Sequence, residues 1–205
     1  MAPGRFRCII ATPPDITILL GALSLRIIGI DPGSNVTGFG VVEKNGSELV
    51  HVAHGTLRPR RGAALAARLE HLYRAISEVV EQHRPDVAAV EQVFVSASPR
   101  SALVLGQARG VALAAVGAAG LGVCEYTPTQ VKQAVTGSGR APKSQVKTMV
   151  RRLLALERAP AEDAADALAI AIRHANGGRL EAAGVVGGRR RTRSRGYQIG
   201  VRPSR

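Results

Sequence analysis

Leu25 to Asp31 is a compact apolar run that ends in a turn, Pro32-Gly33-Ser34-Asn35, and reads as a strand. Val36 to Val42 resumes the pattern. Asn45-Gly46 is a strong hairpin turn into a third strand near Glu48 to Leu57. Three antiparallel strands therefore open the fold. Gly62 opens a long helix in which Leu65, Leu69, Leu72, Ile76, Val79 and Val80 recur at three and four residues, giving one apolar stripe that Pro85 ends. Val87 to Glu91 is a short apolar strand of the kind buried on both faces. Ser101 to Ala119, rich in Ala and Gly, reads as a second helix, and Gly122 to Tyr126 as a fifth strand. Thr127 as cap and Pro128 at the first position start a short helix through Ala134. A polar loop, Gly137 to Pro142, leads to a helix from Lys143 to Leu156, and the last helix spans Glu162 to Ala175. The order predicts an α/β protein with a mixed five-stranded sheet flanked by helices.

The patterned stretch, 25–176, is the size of one domain. With Trp absent and Phe and Tyr three each, its core must be built from Ala, Val, Leu and Ile. Residues 1–24 hold two apolar patches, Cys8 to Ile10 and Ile16 to Leu20, which Pro13, Pro14 and Asp15 interrupt. They form no continuous signal-type segment and are expected to be a disordered extension or a start placed too early, the latter favoured. Residues 177–205 carry eight arginines against Glu181 and are expected to be a disordered basic tail, with phosphates as a candidate ligand.

A formal charge of +13 raises the local concentration of polyanions and points to nucleic acid. Cys8 and Cys124 have neither zinc nor disulfide spacing, which suits a reducing, cytoplasmic setting. No uninterrupted run of 18 apolar residues occurs, so no membrane partner is expected.

Four acids stand out. Asp31 closes the first strand and Glu91 the fourth, positions where sites of open α/β sheets are usually built. Asp163 and Asp166 are three apart at the start of a helix, hence on one face. Each has a plainer reading: a turn former before Pro-Gly, a solvated strand end, favourable charge at a helix N-terminus. Spacing alone does not show that the four meet. If they do, carboxylates about 4 Å apart repel by about 4 kcal/mol at an effective dielectric near 20, and need a cation to stay ionised. Oxygen donors without His or Cys suit Mg²⁺ or Mn²⁺ rather than zinc.

Ile27-Ile28-Gly29-Ile30-Asp31-Pro32-Gly33-Ser34, Thr37-Gly38-Phe39-Gly40, Glu91-Gln92-Val93-Phe94 and Gly106-Gln107-Ala108-Arg109-Gly110 closely resemble the RuvC family of bacterial Holliday-junction resolvases. So do Val131-Lys132-Gln133, Lys143-Ser144-Gln145-Val146 and the run Asp163 to Ala169. The resemblance covers Leu25 to Ala175 in order and spacing. It implies a ribonuclease-H-like fold and a homodimer that resolves four-way DNA junctions by paired symmetric nicks. It further implies two Mg²⁺ ions per active site, with Mn²⁺ able to substitute, held by Asp31, Glu91, Asp163 and Asp166. Products would carry 5′-phosphate and 3′-hydroxyl ends, and a bacterial branch-migration helicase complex would be a partner.

The same resemblance places Lys132 and Lys143 as lysines needed for cleavage, where either would otherwise be a solvated surface charge. Phe94 matches a base-stacking aromatic, against the plainer reading of a core ring. Arg100, Arg140, Lys147, Arg151 and Arg152 are expected to hold phosphates, positioning rather than specifying. The Ser101 to Ala119 helix is the candidate dimer seam, or simply packs on the sheet. The chain departs from the family pattern at Ala97 and Ser98, where Lys or Asn is common, which bears on substrate grip. Rival readings are a ribonuclease-H-fold enzyme with another target, a binding protein without catalysis, and an actin-like ATPase, for which the chain is short.

Overall fold

The computed structural model describes residues 24–33, 35–92 and 98–182. Phe94, the leading segment up to residue 23 and the tail beyond Ala182 lie outside the described residues. Strands β1 (Leu25–Asp31), β2 (Thr37–Asn45) and β3 (Glu48–Leu57) form an antiparallel meander, with Gly46 at φ 60° in the expected hairpin turn. Helix α1 (Leu65–His83) then leads to β4 (Val87–Glu91), α2 (Pro99–Ala118) to β5 (Gly122–Tyr126), and α3 (Pro128–Thr136), α4 (Lys143–Leu153) and α5 (Glu162–Ala182) follow. The sheet order is β3-β2-β1-β4-β5, with β4 parallel to both β1 and β5. This is the mixed, five-stranded, ribonuclease-H-like sheet the sequence implied.

Several boundaries differ from the sequence reading, each for a local reason. Gly62 does not open α1: it sits at φ 76° in a turn, and the helix starts three residues on. Helix α2 starts at Pro99, two residues early, because Ser98 caps it by accepting from the Ser101 amide. Helix α3 carries a full capping box between Thr127 and Gln130 and runs on to Thr136. Helix α4 stops at Leu153, since Ala155 turns to φ 48°. Helix α5 continues through Asn176-Gly177-Gly178 to Ala182. Gly177 is buried there, and packing outweighs the roughly 1 kcal/mol that Gly costs a helix. With 20 residues, α2 is long and apolar enough to cross a membrane, a test that core helices of soluble proteins also pass.

Two apolar clusters sandwich the sheet. Ile28, Ile30, Val41, Ala88 and Val90 pack under α1 and α2, with Leu72, Ile76, Ala112 and Val116. Ile27, Val42 and Ala89 pack on the other face under α3, α4 and α5, with Val131, Val150, Leu168 and Ile172. As composition dictated, the largest fully buried side chains are Ile, Leu and Val. Helix α5 lies close on β1 and β2. A Cβ at Gly29 would overlap the Ala167 carbonyl oxygen, and one at Gly38 would overlap that of Asp163. Side-chain-free strand positions are what let a helix backbone rest directly on the sheet.

Candidate active site

Strand alternation decides which way the acids point. Along β1, Ile28 and Ile30 belong to the α1/α2 cluster and Ile27 to the α3–α5 cluster. A period of two then puts Gly29 and Asp31 on the α5 face. Along β4, Ala88 and Val90 face α1 and α2 while Ala89 faces α5, so Glu91 does too. Ile30 is in register with Val90 on the adjacent parallel strand. Asp31 and Glu91 therefore end neighbouring strands, whose backbones lie about 4.8 Å apart. Asp31 pairs with Gly38 across β2, and Gly38 is where the Asp163 backbone comes down. The first turn of α5, with Asp163 and Asp166, is thus seated at the end of β1.

The carboxyls feel one another. Burial pushes Asp31 from an ordinary 3.8 up to about 7, with Glu91, Asp166 and Asp163 adding to the rise and Lys143 opposing it. Glu91 is raised chiefly by burial and then by Asp166, against Lys143 and Lys132. Asp166 is also raised, again mainly by burial. Lys143 Nζ donates to Glu162 Oε1 at 3.0 Å and to Asp166 Oδ2 at 3.2 Å. Its ammonium is held protonated beyond its usual range, foremost by the Glu162 hydrogen bond. Lys143 opens α4 where no side chain caps the helix. Asp31, Glu91, Asp166, Lys132 and Lys143 line one cavity of about 300 Å³, floored by Pro128, Val131 and Val146. Asp163 does not line it.

Among the described residues, no three of His, Cys, Asp and Glu stand close enough to clasp one metal ion. The donor chemistry nonetheless fits a hard divalent cation: carboxylate oxygens only, crowded so that their charged forms are disfavoured, with the Lys143 ammonium paired to Asp166 and Lys132 nearby. Glu162 is a residue that sequence reasoning did not single out. Its signal, an acid four before Asp166, is shared by many helix starts.

The remaining basic positions are dispersed. Lys147, Arg151 and Arg152 line a shallow cavity of about 340 Å³ on the outer side of α4. Arg140 is exposed in the loop before α4, and Arg100 is exposed in the first turn of α2.

Fold and carboxylate end together define a nuclease of the ribonuclease-H-like class. Residues 27–174 match the family model for crossover junction endodeoxyribonuclease RuvC, and the chain belongs to that family. It is 60% identical over 149 residues to the crossover junction endodeoxyribonuclease RuvC of Alkalilimnicola ehrlichii, covering 73% of this chain and 90% of that one. Among solved structures it is similar to Thermus thermophilus RuvC in complex with a Holliday junction substrate (36% identity, TM-score 0.73, 77% of this chain and 96% of that chain). A yeast mitochondrial Holliday junction resolvase, 14% identical with a TM-score of 0.54 over 79% of this chain and 86% of that one, shares the fold. The chain is accordingly a structure-selective endodeoxyribonuclease of a family that uses Mg²⁺.

Proposed function

We propose that the protein resolves four-way DNA junctions by paired symmetric nicks. In this reading Asp31, Glu91, Asp163 and Asp166 hold two Mg²⁺ ions, for which Mn²⁺ can substitute. The observation that carries it is the strand alternation that turns Asp31 and Glu91 to the face on which α5 begins. Bound there, the ions would supply the positive charge these acids lack and the activation of water toward phosphorus. The acids bind and orient. Lys132, near enough to oppose the rise of Glu91, and Lys143 offset the charge of the scissile phosphate and of its transition state. The bond from phosphorus to the 3′ oxygen breaks, leaving 5′-phosphate and 3′-hydroxyl ends.

Arg100, Arg140, Lys147, Arg151 and Arg152 serve as phosphate contacts that fix register, and Phe94 stacks on a base at the junction. Two nicks need two sites, and a homodimer through the outer face of α2 provides them. The Thermus thermophilus relative, solved on a Holliday junction substrate, supports the choice of DNA. A branch-migration helicase complex in the bacterial cytoplasm is the proposed setting. Purified protein with Mg²⁺ should nick a mobile four-way junction in preference to duplex, flap or hybrid at equal salt. Asp31→Asn should bind that junction as tightly and leave it whole. Equal binding by both proteins with no nicking by either sinks the reading.

A further inference from the structure

Toward the β3 edge of the sheet, at the end where the acids lie, Arg58, Arg60, Arg61 and Arg68 line one cavity of about 420 Å³ with Asn35 and Val36. Among the described residues no Asp or Glu lines it. Arg68 Nη2 donates to Asn35 Oδ1 at 2.9 Å and Arg58 Nε to Thr56 Oγ1 at 3.2 Å. Those two acceptors are neutral and orient the guanidiniums. Among the described residues no ion pair includes Arg58, Arg60 or Arg61. A second observation adds to the first. The 19-residue helix α1 starts beside the cavity at Ala64 with no side-chain cap and no acid in its first turn. Its free amides and positive dipole end are a ready anion site.

The geometry points to a second phosphate subsite: this arginine cavity takes a backbone phosphodiester of the DNA strand a few nucleotides from the one that is cut. The inference rests on the nuclease reading and adds where the strand is gripped. Guanidinium forks match phosphate oxygens in pairs, which suits them to hold a backbone rather than read a base. Position fits as well. Asp31 is on β1 and the cavity borders the end of β3, two strand spacings or about 10 Å along the sheet, with Arg68 of α1 reaching it from the face opposite α5. That is about three nucleotides at 3.4 Å of rise. The lysines lie on the opposite side of the acids, on α3 and α4. A strand crossing Asp31 is then held on both flanks.

The test uses the full-length protein, a four-way junction and EDTA, so that binding is read without cutting. Arg60 and Arg61 are exposed, so Arg60→Gln with Arg61→Gln leaves the core intact, which a wild-type melting curve confirms. The double variant should bind about tenfold more weakly, and its plot of log affinity against log salt should be shallower by about one to two, at about 0.9 per lost contact. Neutral methylphosphonates placed singly along the cut strand then locate the contact. One position within about four nucleotides of the cut should weaken wild-type binding severalfold and leave the variant unchanged. An unaltered salt slope overturns the inference. So does a methylphosphonate scan that affects both proteins alike, or competition by inorganic phosphate at the cavity with no sensitive strand position. Failure of the wild type itself to bind the junction overturns the nuclease reading instead.

Discussion

Lys143 Nζ lies 3.2 Å from Asp166 Oδ2, with Glu162 Oε1 at 3.0 Å on its other side. Lys143 is 65% exposed and Asp166 25%, so the lysine reaches in from solvent to a carboxylate that solvent reaches poorly. It occupies the place of a counter-ion in a cluster where every other charged lining group except Lys132 is an acid. A divalent ion bound to Asp166 would take over that charge and free the ammonium for the substrate phosphate. Lys143→Gln should therefore lower single-turnover cleavage by about 100-fold, the scale of losing one preorganised charge partner. Junction affinity should change by less than about threefold, and the Mg²⁺ concentration for half-maximal rate should not rise. A steep rise in the Mg²⁺ requirement would contradict the exchange of lysine for ion.

Asp31 predicts a pH dependence of stability. Its folded carboxyl is raised from 3.8 to about 7, so the protonated form is favoured by folding. Stability from this group is complete below about pH 4 and is lost as pH rises through 7. That displacement corresponds to about 4 kcal/mol at 1.36 kcal/mol for each tenfold change, and divalent metal reduces the loss by supplying charge. In EDTA at pH 8, Asp31→Asn should be more stable than the wild type to urea, by up to that amount. At pH 4 the two should agree closely. Adding Mg²⁺ at pH 8 should stabilise the wild type alone. Equal stability at pH 8 in EDTA would show that burial and the neighbouring acids do not raise Asp31.

The sheet was legible because β1 and β4 obey simple periodicity. Leu25–Asp31 and Val87–Glu91 have the expected bounds, and the same parity gives the direction of their terminal acids. The seating of the first turn of α5, with Asp163 and Asp166, at the end of β1 was not legible, because it depends on α5 resting on Gly29 and Gly38, a contact between segments over 120 residues apart. Donor type in the sequence points to a hard cation, in keeping with a family that uses Mg²⁺, while the pairing of Lys143 with Asp166 is a tertiary fact. Arg58, Arg60 and Arg61 were not singled out in the sequence, where their charge alone gives no site. Only the return of α1, which brings Arg68 beside Asn35, turns them into a cavity. Helix ends were misjudged where a left-handed residue intervenes: Gly62 delays the start of α1 and Ala155 ends α4 early.

Gly38 tests the seating of α5. A methyl group there meets the Asp163 carbonyl, which is backbone and cannot swing aside. Gly38→Ala should cost about 1 to 3 kcal/mol as an overpacked position. It should also lift the first turn of α5 away from Asp31, so cleavage should fall by more than tenfold in protein that remains folded at low temperature. Urea midpoint and nicking rate measured on the same sample separate the two effects. Unchanged stability would mean that the helix is not held by this contact.

Helix α2 carries the proposed pairing of the two sites. Its buried stripe is Ala108, Ala112, Ala115 and Val116, packed toward α1 and the sheet. The opposite stripe, Leu103, Gly106, Gly110, Ala114 and Gly117, is exposed, with Leu103 66% open to solvent and no atom within 4 Å of where a Cβ would stand at the three glycines. Residues at three and four apart with almost no side chain let a second helix approach to backbone distance, and Leu103 gives that contact an apolar anchor. Gly110→Arg puts a long charged side chain in the middle of the stripe without touching the core. It should convert a dimer to a monomer in sedimentation equilibrium at micromolar protein. Far-UV dichroism should be preserved. Cleavage should then lose its symmetry, so that single nicks accumulate and linear products disappear. A variant that stays dimeric, or a monomer that still nicks both strands in concert, would place the seam elsewhere.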